Sequence, residues 1–266
     1  MAAVKDIFHY LDSIAPFATQ LDFDNAGFLV GRGDRQVHRL LVSLDITEEV
    51  AREAVERGAE LVVSHHPVIF HPAKSVTDAD PVGRTLLALI EGGVAAICAH
   101  TNLDASVGGV NDALAQRLGL TDLSVLEPSG VDGEGHTIGI GRVGTLAGGE
   151  APGLAAFAAQ VKEALGANGV RYVDAGKPVR RVAVGGGACG DMLELAHAQG
   201  CDTFVTSDVK YNQFLDARDL GVNLIDAGHY PTENVVCPVL VQKLREAFPE
   251  VEVLPTDRHK EVFSYL

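Results

Sequence analysis

The chain has 266 residues, of which 47% are hydrophobic and 21% charged, and a formal net charge of −15. That length can bury a core as one large domain or two smaller ones, and the composition is that of a soluble globular protein. The acidic balance disfavours a nucleic-acid surface, which needs clustered Lys and Arg, and no stretch approaches the roughly 20 apolar residues that span a bilayer. Residues 1–7 show no basic region followed by an apolar core, so no signal peptide is expected. The four cysteines, Cys98, Cys189, Cys201 and Cys237, form no Cys-x-x-Cys pair. They are expected as reduced thiols of a cytoplasmic protein, packed as small hydrophobes.

In chain order, residues 5–14 have helical spacing that stops before Pro16. Residues 39–44 read as an apolar strand. Residues 47–58 are predicted helical, with Thr47 as N-cap and Gly58 closing the helix. Residues 59–64 form a short Val-rich strand that runs into His65-His66-Pro67. A helix over 81–92, a strand over 94–99 and a helix over 109–119 follow. This β-α-β-α-β order predicts an α/β fold with a largely parallel sheet. Residues 127–149 are Gly-rich and less periodic, but 136–143 alternate like an antiparallel strand, and a second unit is predicted to begin there. Residues 181–185 and 202–206 read as strands flanking a helix over 191–199 closed by Gly200, and an apolar strand precedes His229. The expected organisation is two similar α/β domains facing each other, with their polar strand ends converging. Residues 1–126 plus 222–266 are assigned to a metal-binding domain and 127–221 to the second.

Two internal correspondences support a duplication. Superposing Arg39 on Arg181 places Gly58 on Gly200, Ser64 on Thr206 and His66 on Asp208 without a gap. Two later segments end alike, in His100-x-x-x-Asp104 and His229-x-x-x-Glu233.

The chemistry concentrates at predicted strand ends. Adjacent side chains on a strand point to opposite faces, so His65 and His66 suit two ions side by side better than one. His65, His66, His100, Asp104, His229 and Glu233 combine imidazole and carboxylate donors, which suit zinc, iron, manganese or nickel. Sites in open α/β sheets gather outside the carboxyl ends of strands. Six donors exceed one tetrahedral site and suit two bridged ions, an arrangement used for hydrolysis. His9, His38, His197 and His259 are read as surface or hydrogen-bonded core histidines; His71 and His136 rank slightly above them as donors. Gly185-Gly186-Gly187-Ala188-Cys189-Gly190 follows a strand and precedes a helix, like a phosphate cradle. It lacks a Gly-Lys-Ser/Thr ending, and a tight turn is the simpler expectation. Lys210-Tyr211 reads equally as a phosphate contact or a surface pair.

These motifs resemble a known family. Ser64-His65-His66-Pro67, His100-Thr101-Asn102-Leu103-Asp104, Gly108-Gly109-Val110-Asn111-Asp112 and Asp226-Ala227-Gly228-His229-Tyr230-x-Thr232-Glu233 closely resemble the Nif-three-like dinuclear metal-centre proteins, known as GTP cyclohydrolase type-two homologues. Asp24-Asn25-x-Gly27-x-Leu29-Val30-Gly31 and Thr206-Ser207-Asp208-Val209-Lys210-Tyr211 resemble that family's N-terminal and second-domain signatures. The resemblance implies two similar α/β domains, a homohexameric ring and a two-metal site in the cleft between domains. Its ligands, carried over by position, are His65, His66, Asp104, His229 and Glu233, with His100 in the same motif. The family usually has Gly-Asp before Val-Lys-Tyr and His after Lys-Tyr, where this chain has Ser207-Asp208 and Asn212. No catalytic role is carried over there. The expected function is a dinuclear metal-dependent hydrolase acting on a small molecule, with GTP cyclohydrolase-like action on a purine nucleotide as the named example. The alternative is a non-enzymatic metal-binding ring protein with a regulatory or metal-delivery role.

Overall fold

The computed structural model describes residues 2–148 and 151–266. Gly149, the end of the Gly-rich stretch read from the sequence, and Met1 lie outside them. The chain forms two compact units: Met1–Leu103 with Cys237–Lys260, and Asp104–Val236 with Glu261–Leu266. Their junctions fall at 103/104 and 236/237, where the sequence reading places 126/127 and 221/222. Among the described residues no helix is long and apolar enough to cross a membrane.

The sheet of the first unit holds β1 (Gly27–Val30), β2 (Arg39–Ser43), β3 (Leu61–Ser64), β4 (Ala95–Cys98) and β11 (Glu252–Pro255), ordered β1-β4-β3-β2-β11. All neighbours pair in parallel except β1 with β4. Every residue of β3 and β4 is buried, as expected for parallel strands covered on both faces. The helices Glu48–Glu56 and Pro81–Gly92 supply Val50, Ala54, Leu86 and Leu89 to a core with Leu41, Val62 and Ala96. Their ends follow from local chemistry. Thr47 Oγ1 accepts the Val50 N–H at 3.2 Å, and Asp80 Oδ1 accepts the Gly83 N–H at 2.9 Å. Gly58 follows the cap residue Arg57 in the left-handed region, at φ 67°.

The second unit holds β5 (Leu120–Val131), β6 (Thr137–Leu146), β7 (Arg171–Val173), β8 (Arg181–Val184), β9 (Thr203–Thr206) and β10 (Asn223–Asp226), ordered β5-β6-β8-β9-β10-β7. β8, β9 and β10 run parallel, and β5, β6 and β7 pair antiparallel with their neighbours. The antiparallel segment near residue 136 is therefore β6. Its partner β5 starts earlier than the Gly-rich stretch and is not predicted. It is an edge strand, mostly exposed, and contains Pro128 and Gly130, so it lacks an apolar signature. β10, which the sequence reading assigns to the first domain, hydrogen-bonds to β9 along its whole length. Around this sheet, Phe157 and Val161 of the helix Leu154–Leu165 pack with Val184, Val205 and Ile225.

The duplication is visible in the registers. Val42 faces Val63 in the first sheet, and Val184 faces Val205 in the second. One step on, Ser64 faces Cys98 and Thr206 faces Asp226. The next residues repeat the pattern, with the Ala99 and Ala227 N–H groups each 2.9 Å from the Ser64 and Thr206 carbonyls. Cys98 and Asp226 are thus equivalent, and the loop before His229 has one residue more than the loop before His100. His100 precedes the helix Thr101–Ala105, whereas His229 opens the helix His229–Glu233. The two His-x-x-x-acid pieces are out of step by that residue.

Candidate metal centre

In the first unit β3 ends at Ser64, and the backbone bends at His65 and His66. Strand alternation therefore does not apply. Instead of pointing to opposite faces, the His65 and His66 rings lie 5.1 Å apart, each within 5.5 Å of the His100 ring. One ligand nitrogen from each of the three lies within 4.8 Å of the other two. Every ring is held through Nδ1. His65 Nδ1 is 2.8 Å from the Ala99 carbonyl, His66 Nδ1 2.7 Å from Asp45 Oδ1, and His100 Nδ1 2.7 Å from Asp24 Oδ1. An oxygen on Nδ1 sets the tautomer and leaves Nε2 as the donor, the usual arrangement of metal-binding imidazoles.

The supporting carboxylates are themselves fixed. Asp24 Oδ2 accepts from the Thr101 N–H at 3.0 Å and the Thr101 hydroxyl at 2.5 Å. Burial pushes the Asp24 carboxyl up, but His100 and then Thr101 outweigh it and hold it at about 2. Asp45 lies below the usual carboxylate range for the same reason: burial is outweighed by His259 and His66.

In the second unit, Asp104 and Glu233 are buried, with carboxylate oxygens within 4.8 Å of each other. Glu233 Oε2 lies 3.0 Å from His229 Nε2, and Asp208 Oδ2 lies 2.5 Å from His229 Nδ1. Burial lowers the pKa of the His229 imidazole, but Glu233 and then Asp208 outweigh it and raise the pKa to about 9. Asp208 occupies the left-handed region at φ 52°. That conformation is uncommon for a non-glycine residue and mildly strained.

The Gly-rich turn accommodates Glu233. Gly187 has φ 66°, and a Cβ there would lie 2.1 Å from Glu233 Oε1. Its neighbours' N–H groups are committed inside the protein. Asn111 Oδ1 accepts from Gly186, Thr232 Oγ1 from Gly187 and Thr206 Oγ1 from Cys189. The loop is a tight turn rather than an open phosphate cradle. Asn111 Nδ2 also donates to the Asp104 carbonyl at 3.0 Å, so one side chain ties the Asp104 backbone to this turn. The adjacent Asp112 forms a buried pair with Arg142 at 2.6 Å, and Arg142 donates to the Ser106 carbonyl.

Within the first unit the structure thus groups His65, His66 and His100, and within the second it sets Glu233 beside both Asp104 and His229. Of the other histidines, His71 is exposed against Phe70, and His136 pairs with Asp132 on the surface. His259, read as a surface or hydrogen-bonded core residue, lies 2.7 Å from Asp45 Oδ2. No sequence signal connects it to His66. The supporting roles of Asp24, Asp45 and Asp208 also go unread in the sequence, although Asp24 and Asp208 lie inside the quoted motifs. Burial raises the pKa of the Cys98 and Cys201 thiols to about 11 each, and that of Cys189 further. These thiols stay protonated at neutral pH.

A divalent cation fits both donor sets. Three Nδ1-anchored imidazoles are ready ligands, and two buried carboxylates this close repel unless a cation or proton intervenes. The fold and site define an α/β protein of duplicated sheet units, the first bearing imidazole donors and the second carboxylates with one imidazole. Residues 2–261 match the family described as Duf34/NIF3 (NGG1p interacting factor 3), and the chain belongs to that family. It is 32% identical over 265 residues to the GTP cyclohydrolase 1 type 2 homolog of Clostridium perfringens, covering 99% of each chain. It is 36% identical to the Streptomyces coelicolor protein of the same description, over 92% of this chain and 87% of that one. The crystal structure of a Bacillus cereus protein related to NIF3 superposes with a TM-score of 0.93 at 26% identity, covering 100% of this chain and 99% of that one.

Proposed function

We propose that the protein is a dinuclear metal-dependent hydrolase of a small molecule. In this reading His65, His66, His100, Asp104, His229 and Glu233 hold two divalent cations per chain. The observation that carries it is the set of three imidazoles in the first unit, each with Nδ1 on an oxygen and with ligand nitrogens within 4.8 Å. The donors accept zinc, iron, manganese or nickel, with availability deciding among them. When bound, such ions lower the pKa of a coordinated water and polarise an electrophile.

The chain's own residues do the rest. Ala99, Asp45, Asp24 and Asp208 hold the imidazole tautomers. Asp104 and Glu233 supply the negative charge that cations neutralise. Were His229 and Glu233 to hold a cation, the proton that their 3.0 Å pairing retains on the imidazole would have to leave. The names of the relatives point to a purine nucleotide as substrate. The homohexameric ring implied by the family resemblance and the cytoplasmic location expected from the sequence belong to the same proposal.

The test is elemental analysis of the untreated protein with turnover on GTP and on generic phosphoesters. Two ions per chain are expected, and Asp104→Ala and Glu233→Ala should each lose about 100-fold or more in kcat/KM, the scale of a lost electrostatic stabiliser. Unchanged turnover in both variants overturns the hydrolase reading. Stoichiometric metal without turnover favours the non-enzymatic, metal-delivering role.

A further inference from the structure

The Nδ1 atoms of His65, His66 and His100 each rest on an oxygen, but those oxygens are secured differently. Ala99 belongs to the backbone, hydrogen-bonded to Ser64 at the end of β4. Asp24 is held by the N–H and hydroxyl of Thr101, one residue from the imidazole it supports. Asp45 has no such local clamp. Oδ1 faces His66 Nδ1 at 2.7 Å, and Oδ2 faces His259 Nε2 at 2.7 Å. The His259 side chain is only 8% exposed.

The segment carrying His259 is anchored immediately upstream. The Thr256 hydroxyl donates to Glu53 Oε2 at 2.5 Å, and the Asp257 N–H donates to Glu53 Oε1 at 3.0 Å. Arg57 pairs with Asp257 at 3.2 Å, and Arg258 pairs with Glu56. These contacts fix the backbone two residues before His259 against the helix Glu48–Glu56. A ring seated on such a base can hold a carboxylate in one orientation.

We propose that His259 is a positioning residue: it locks the Asp45 carboxylate so that Oδ1 holds the His66 imidazole with Nε2 presented to a cation. The chain His259–Asp45–His66 extends the familiar carboxylate–imidazole support by one member. The inference rests on the dinuclear reading above. It adds a residue more than 190 positions from its target in sequence, for which Thr101 is the functional counterpart at Asp24.

The test is metal retention against a chelator, followed by elemental analysis, for wild type, His259→Phe and His259→Gln. His259→Phe keeps a ring but removes the donor to Asp45, whereas Gln restores an N–H donor. Expected is about a 10- to 100-fold weaker hold on one of the two ions in His259→Phe, with the other ion unchanged. In His259→Gln the wild-type hold should return to within about 3-fold. The Nδ1-bound proton of His66, read by NMR in the histidine-labelled protein, should shift in His259→Phe and return in His259→Gln. If His259→Phe does not fold, His259→Asn, too short to reach Asp45, is read in its place. Equal chelator midpoints in wild type and His259→Phe overturn the inference, as does equal weakening in Phe and Gln variants with an unmoved His66 signal. A wild-type protein that takes up no ion sinks the dinuclear reading instead, so the two failures are distinct.

Discussion

The first unit presents imidazoles backed by oxygens, and the second presents carboxylates with one imidazole backed by a carboxylate. The parallel strands beneath them pair in the same register. Extending the strand superposition without a gap places His66 on Asp208 and Asp45 on Gly187, although Asp208 and Gly187 take a left-handed backbone that His66 and Asp45 do not. At the first position the imidazole and its supporting acid exchange places: His66 leans on Asp45, whereas Asp208 supports His229. At the second, an aspartate that clamps a ring is replaced by a residue without a side chain, and Glu233 occupies the space that remains. A duplicated scaffold therefore fixes where groups stand, and a few substitutions at strand ends fix what chemistry each copy contributes.

The comparison can be broken most severely at Gly187. Alanine there meets Glu233 at 2.1 Å and keeps a left-handed backbone. Gly187→Ala should cost about 3 kcal/mol in a denaturant melt and disturb Glu233. Gly200 has the same backbone sign, at φ 74°, with nothing near its missing Cβ. Gly200→Ala should therefore cost only about 1 kcal/mol; similar losses at both sites would remove the steric argument.

Next in size are the supporting acids. Asp24→Ala should weaken metal retention by about 10- to 100-fold. Asp208→Ala should act in the same direction but less, because the Asp24 side chain is fully buried and that of Asp208 is 53% exposed. The reverse order would say that the second unit depends more on its supporting acid.

Smaller still is a pH effect with opposite arms in the two units. His229 has its pKa raised from 6.5 to about 9. Its protonated pairing with Glu233 and Asp208 stabilises the metal-stripped protein fully below about pH 6.5 and is lost as pH rises to 9. Asp24 is depressed from 3.8 to about 2, so its contribution is present above pH 3.8 and lost as pH falls toward 2. Thermal midpoints of the stripped protein should fall along both arms. Asp208→Asn should shrink the alkaline arm, with Glu233 maintaining the rest, and leave the acid arm unchanged, while metal uptake should strengthen with pH across the alkaline arm. The smallest effect is expected at His136, exposed and paired with Asp132. His136→Ala should leave metal content unchanged by elemental analysis.

The amino-acid sequence by itself determined the alternation of short apolar strands with amphipathic helices, the repeat relating β2–β3 to β8–β9, and the donor-bearing motifs. Periodicity, capping residues and dense His/carboxylate motifs are local signals, legible within a window of some ten residues. Tertiary structure alone decided that β5 pairs as an exposed edge and that β10 joins the second sheet. It also set the loop before His229 one residue longer than its counterpart, and brought His259 to Asp45. Those outcomes depend on contacts between residues far apart in the chain. Such contacts are selected by packing and hydrogen-bond satisfaction in the folded state and leave no periodic trace in the sequence.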